Sequence, residues 1–323
     1  MDRRSFVLGC TAGLSGLAGI DLRASAQAAY PAKPVTLLCP FAAGGAGDIL
    51  TRAAADFVRA KRNVAVGVEY RPGAGATIAP AQVAKAAADG TTLGLYSISP
   101  FLTVPHLQKV PYETLKDFTF ISVYAYIPIA LYVLADSPLN NWSDVVKSAR
   151  DNPGKFRWGT SGVRGAAHIA TEAALRKEGA QTTFVPFSGG ADAITAMLGG
   201  HIEAVVSADY GPQLAAGKVK LVVLTGSEKL ASQPNLPTFK ELNYPISTEA
   251  IYGLFGPANL PREVTAYWDG ATRDMMATDE FKATLKAASA NAVYMDSADF
   301  TANVILNYTR LGEAIRTLGF NAK

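Results

Sequence analysis

From residue 35 onward, short β-branched or apolar runs alternate with alanine-rich stretches of helical spacing, and no other feature constrains the fold so strongly. That alternation is the pattern of an α/β protein with largely parallel sheets. PVTLLCPF is expected as a first strand and DILTRAAADFVRA as a first helix. VAVGVEYRP follows as a strand closed by the Pro72-Gly73 turn, ATIAPAQVAKAAA as a helix stopped by Asp89-Gly90, and TTLGLYSIS as a third strand. From Ile127 the run PIALYVLAD begins a second set. In it, NWSDVVKSARDN and AAHIATEAALRKEG are helices and KFRWGTS is a strand. TTFVPF, ADAITAMLGG, IEAVVSA and KVKLVVLTG continue the alternation, AIYGLFGP is one more strand, and two or three helices close the chain.

Three strand-to-helix junctions are rich in glycine and hydroxyl residues: FAAGGAGD, TSGVRGA and FSGGAD. In open α/β sheets ligands bind at the carboxyl ends of strands, and free N–H groups at a helix start favour an anion. Each junction also has a plain reading as a tight turn. Enzyme motifs fail stricter tests. No glycine loop carries the lysine of a nucleotide-phosphate loop, and Gly45-Ala-Gly47 and Gly73-Ala-Gly75 reach Leu50 and Ile78 where a dinucleotide fingerprint needs glycine. Gly159-Thr160-Ser161-Gly162-Val163 has valine at the last position of a nucleophile elbow, and the histidines are His106, His168 and His201. There is no HExxH, CxxC or DxDxDG pattern, so neither a metal nor a cofactor is expected. His168, early in the helix after a candidate loop, is either an ordinary polar helix residue or within reach of a ligand.

The first residues have the form of an export signal. Arg3-Arg4-Ser5-Phe6 precedes a short apolar run to Ile20, and ASAQA offers Ala-x-Ala cleavage ending at Ala26 or Ala28. The paired arginine is similar to a twin-arginine leader, with the general export route as the alternative. Cleavage after Ala28 removes Cys10, so Cys39 alone survives and no internal disulfide is expected. The whole chain has 30 basic and 27 acidic side chains, and the mature net charge is about +2. Such a charge gives no strong attraction to nucleic acid or to a membrane surface. A soluble periplasmic product, 49% hydrophobic and stabilised by packing, is the expectation.

Tyr30-Pro31-Ala32-Lys33-Pro34-Val35, then Pro40-Phe41-Ala42-Ala43-Gly44-Gly45 with Asp48 and Arg52, resembles the opening of the tripartite tricarboxylate transporter substrate-binding proteins, also called Bug receptors. Tyr70-Arg71-Pro72-Gly73-Ala74-Gly75 is similar to the family's N-R-P-G-A-G turn, with Tyr70 for asparagine. VAKAAADGTTL, KDFTFIS, WGTSGVRGAAHIA, VPFSGGADAITAMLGGHIEAVVS, AAGKVKLVVLTGS, NLPTFKEL and YGLFGPANLP have counterparts in order, over essentially the whole mature chain.

The resemblance implies a periplasmic binding protein-like α/β fold: two lobes joined by crossing strands, with a ligand cleft between them that closes as a Venus flytrap does. Residues 1–28 are then the export signal, 29–127 plus 252–323 lobe one, and 128–251 lobe two. It implies a receptor, not an enzyme, that delivers a small carboxylate to membrane transporter subunits as a monomer, without nucleic acid. A sensor-kinase receptor with the same cleft, and a secreted ester hydrolase, are the alternatives. Phe41, Ala42, Gly44 and Gly45 are expected to offer backbone donors from lobe one. Thr160, Ser161, Gly162, Ser188 and Gly189 are expected to offer N–H and hydroxyl donors from lobe two, with His168 as an adjunct. Ser97 and Ser99 end the third strand and are placed to line the same cleft, while Asp209 is expected to accept a ligand hydrogen bond or order a water. Asp48 is expected to serve the helix start rather than a ligand. Arg164 is the one cation in the candidate loops.

Overall fold

A computed structural model describes residues 30–230 and 232–320; the leader assigned to 1–28 lies outside the described residues. The strands are β1 Val35–Cys39, β2 Val66–Tyr70, β3 Thr92–Tyr96, β4 Phe118–Ile127, β5 Ala130–Leu134, β6 Arg157–Ser161, β7 Thr183–Phe187, β8 Ala204–Ser207, β9 Val219–Leu224, β10 Ala250–Pro257 and β11 Asn291–Met295. They form two sheets, ordered β11-β4-β10-β3-β1-β2 and β7-β6-β8-β5-β9. The helices are α1 Ala46–Arg62, α2 Ile78–Val83, α3 Val104–Leu107, α4 Trp142–Asp151, α5 Ala166–Lys177, α6 Gly190–Leu198, α7 Gly211–Ala215, α8 Arg262–Ala277, α9 Asp279–Ala287 and α10 Ser297–Thr317. Two α/β lobes result, one on each sheet.

The sheets are mixed, not largely parallel. β1 pairs in parallel with β2 and β3, and β6 with β7 and β8. The strands that carry the chain between lobes run the other way: β10 is antiparallel to β3 and β4, and β5 to β8 and β9. The helix expected over ATIAPAQVAKAAA is also shorter than its composition suggests. After Val83, Lys85 and Ala86 donate to carbonyls only three residues back, so the chain tightens into turns before Gly90.

Local chemistry explains the elements that frame the cleft. α1 buries Ala46, Leu50, Ala54 and Val58 along one face, with Asp48 in its first turn and Arg59, Lys61 and Arg62 in its last, charges that complement the helix dipole. β1 is buried almost throughout, as a central strand covered on both faces must be. Behind the end of β3, Tyr96 stacks on Phe101 at 4.9 Å and meets the edge of Phe300 at 4.7 Å. This aromatic cluster fixes the π-helical turn Ser99–Thr103 that follows β3.

Two passages link the lobes. β4 ends at Ile127 and Pro128-Ile129 lead directly into β5, while residues 225–249 return the chain from β9 to β10. Thr225 ties both passages together: its amide donates to Ile129 O at 2.8 Å and its hydroxyl to Thr248 O at 3.2 Å.

Candidate functional site

The three glycine-rich junctions become the N-termini of α1, α5 and α6, and all three face the gap between the lobes. Their N-caps are Gly45, Gly165 and Gly189, none of which has a side chain to satisfy the first-turn N–H groups. For two of these helices the partner comes from the opposite lobe. Ala46 N, at the start of α1, donates to Asp209 Oδ1 at 2.7 Å, and Ala166 N, at the start of α5, donates to Ser99 Oγ at 3.0 Å.

Asp209 is wedged where α1 and α6 meet. A side chain at Gly190 would place its Cβ 1.6 Å from Asp209 Oδ2, so only glycine fits at the start of α6. Burial raises the Asp209 pKa above the ordinary carboxylate value, partly offset by the Ala46 amide and the Ser207 hydroxyl.

Between the lobes lies a narrow cavity of about 50 Å³. Phe41, Ala42, Gly45, Ser97, Ser99, Thr160, Ser161 and Asp209 line it, so eight of the residues singled out in the sequence come together there. A wider hollow of about 410 Å³ adjoins it and shares Phe41 and Ser161 as a common wall. Gly162 and Ser188 line that outer hollow.

Three expected site residues do not line either space. Gly44 spends its amide on Asp48 Oδ2 at 2.8 Å. Gly189 is packed against the other lobe, where a Cβ would sit 3.2 Å from that of Ala42. His168 turns into its own lobe: its ring stacks on Phe184 with centroids 3.7 Å apart, and Nδ1 accepts the Arg164 amide at 2.9 Å. Burial, with Arg176 and Arg164 nearby, lowers its pKa to about 4, so the ring is neutral.

Hydroxyls outnumber every other polar group in the inner cavity. Ser97 Oγ is buried without a hydrogen-bond partner, and the hydroxyls of Thr160 and Ser161 line the same space. A buried hydroxyl left unpaired is costly, and a ligand atom relieves that cost. No arginine, lysine or histidine lines the space. Arg164 reaches the other lobe outside it, with Nη1 3.3 Å from both Leu107 O and Gln108 Oε1.

Asp48 holds the loop that presents Phe41. Besides the Gly44 amide it accepts the Tyr70 hydroxyl at 2.7 Å and pairs with Arg52 Nε at 3.0 Å. The Tyr70 bond to Asp48, with burial added, pushes the Tyr70 pKa up to about 12. Tyr70, the departure from the asparagine of the turn motif, thus serves the loop. Cys39 lies behind it, its thiol pushed up to about 11 by burial, a packing residue rather than a nucleophile.

Sequence reasoning missed Glu249, Tyr252 and Ser207, which also line the inner cavity. Tyr252 and Ser207 sit in or at the end of apolar strands, where periodicity shows burial but not which cavity a strand end meets. Glu249 precedes β10 with no glycine or turn signature to mark it.

Among the described residues no helix is long and apolar enough to cross a membrane, and no cluster of ligating side chains suits a metal ion. The model of the tripartite tricarboxylate transporter family receptor matches residues 50–320. A Cupriavidus necator protein described as a UPF0065 protein in the gbd 5' region is 30% identical over 93% of this chain and 93% of its own length. Protein BugT of Bordetella pertussis is 30% identical over 71% of each chain. The solved structure of periplasmic binding protein BugD superimposes with a TM-score of 0.83 at 26% identity, covering 91% of this chain and all of its own.

Proposed function

The chain belongs to the tripartite tricarboxylate transporter receptor family, a family of receptors rather than enzymes, and from that premise we propose that its cleft closes on a small organic carboxylate. The observation that carries this reading is the convergence of glycine-capped helix starts and hydroxyls, that of Ser97 unpartnered, on one cavity that no cation lines. Neutral donors at a helix start hold a carboxylate because hydrogen bonds to a charged acceptor are strong and the dipole favours a negative charge. The site residues are Phe41, Ala42, Gly45, Ser97, Ser99, Thr160, Ser161 and Asp209 within, and Gly162 and Ser188 at the mouth.

Lobe one comprises 29–127 plus 252–323 and lobe two 128–251, a division supported by the passage at Pro128-Ile129 and by the start of β10 at Ala250. The receptor is monomeric, is released into the periplasm after cleavage near Ala26 or Ala28, and hands its ligand to the membrane subunits of a tripartite tricarboxylate-type transporter.

Incubation of the purified protein with a labelled pool of organic acids tests the central claim. One equivalent retained unaltered is the expected result; turnover of the acid makes the protein an enzyme, and no retention rejects the cleft as a carboxylate site. In calorimetry with the retained acid, Ser161→Asp removes a donor and sets a like charge against the ligand, at a cost of about 3 kcal/mol, more than a hundredfold in affinity. Ser161→Ala costs about 1 to 2 kcal/mol because the backbone donors remain.

A further inference from the structure

The inner cavity carries two carboxylates that no cation answers. Asp209 and Glu249 both line it, neither has a salt-bridge partner among the described residues, and no lysine, arginine or histidine lines the space. Glu249 is fixed by Ser227, whose amide donates to Oε1 at 2.8 Å. Asp209 is fixed by the Ala46 amide, so it already supplies the negative charge that the start of α1 favours, and it lies against Gly190 at the start of α6.

The start of α5 is different. Its facing group is the neutral Ser99 hydroxyl, which accepts from Ala166 N and keeps its own proton free to donate. Ser97 Oγ, on a residue only 6% exposed, lines the same cavity with no partner. Thr160 and Ser161 add two more hydroxyls from the end of β6. The cavity lining therefore includes donors for one anion and two acceptors lacking a counter-charge.

Resting on the reading of the cleft as a carboxylate site, we infer that this receptor selects a zwitterion, a carboxylate that also bears a protonated nitrogen, over a dicarboxylate. The ligand's carboxylate accepts from the hydroxyls of Ser97, Ser99, Thr160 and Ser161 at the start of α5. Its ammonium donates to Asp209 and Glu249. A second carboxylate in that position meets two like charges and finds no cation, a juxtaposition that discriminates strongly where water is excluded. Burial raises the pKa of Asp209, which a ligand cation beside it would reverse.

The test is a matched series on the full mature protein by calorimetry: glycine, β-alanine and 4-aminobutanoate against malonate, succinate and glutarate, pairs that share the same number of methylenes. The expected result is that the best amino acid binds at least tenfold more tightly than its matched diacid. Asp209→Asn and Glu249→Gln, which preserve shape and remove charge, should each erase most of that preference. Equal or reversed ranking in the wild type overturns the inference, as does a preference unchanged in both variants. Diacids bound alone leave the carboxylate reading standing and remove only this inference. Binding of neither series, nor of any acid in the wider labelled pool, removes both.

Discussion

A histidine stacked on a phenylalanine with its free nitrogen receiving an amide gains nothing from becoming charged. His168 is that residue, its pKa lowered to about 4 chiefly by burial. In the unfolded chain a histidine titrates near 6.5, so between the two values the unfolded state binds the extra proton and stability rises with pH. The contribution is complete above pH 6.5 and is lost as the pH falls toward 4, amounting to about 2 kcal/mol between pH 7.5 and pH 5. Urea unfolding at those two pH values measures it, and His168→Gln should remove most of the difference attributable to this site. An equal pH dependence in wild type and variant means the ring is not held neutral by its surroundings. The same residue marks a limit of sequence reading at this scale. A histidine two positions into a helix after a glycine loop faces either the cleft or the core, and only the position of Phe184 on β7 decides between them. Ser97, Thr160 and Ser161 were legible because each stands at or just past the end of a strand, and Ser99 because it opens the turn that follows β3, where α/β geometry leaves few directions to face.

Helix starts and strand pairs carry the next level. α1 and α5 begin without side-chain caps of their own, and each takes a cap from the facing lobe, Asp209 for one and Ser99 for the other. Glycine at the junctions is therefore doubly informative, permitting close approach and leaving donors free. The central sheet of lobe one depends on equally close packing. A Cβ on Gly253 in β10 would lie 2.3 Å from the Ser122 carbonyl oxygen in β4. Gly253→Ala should therefore cost about 1 to 3 kcal/mol, read as a lower urea midpoint with the slope unchanged. A midpoint equal to that of the wild type means β10 and β4 are not in such close contact. Most strands and helices were legible from alternation and turn chemistry. β4 was not, because FTFISVYAYI is buried on both faces and has no glycine-rich junction, so neither period nor punctuation marks it. β11 escaped for the opposite reason: a short edge strand with exposed positions, lying between two helices, has almost no apolar signature.

At the scale of the whole molecule, the proposed closure depends on how strongly the lobes hold each other without a ligand. The hydrogen bonds that cross the cleft include Ala46 to Asp209, Ala166 to Ser99, and Arg164 to Leu107 and Gln108. Each contributes on the order of 1 kcal/mol net, because water satisfies the same groups when the cleft opens. Against these bonds stand the desolvation of Asp209 and the unpartnered hydroxyl of Ser97. A ligand that bridges both lobes then shifts the population by its differential affinity for the closed state. The two passages at Pro128-Ile129 and before Ala250, joined at Thr225, are the only described covalent links that must flex. Small-angle scattering should show a smaller radius of gyration at saturating ligand than without it. Arg164→Ala tests the mechanism from outside the cavity, since Arg164 lines neither space and its removal deletes the cross-lobe bonds to Leu107 and Gln108. The apparent affinity should fall a few-fold, in proportion to the lost closed population, with the ranking of ligands unchanged. Identical scattering curves with and without ligand would sink the closure mechanism, and abolished binding in Arg164→Ala would make the site an arginine clamp instead of a set of neutral donors.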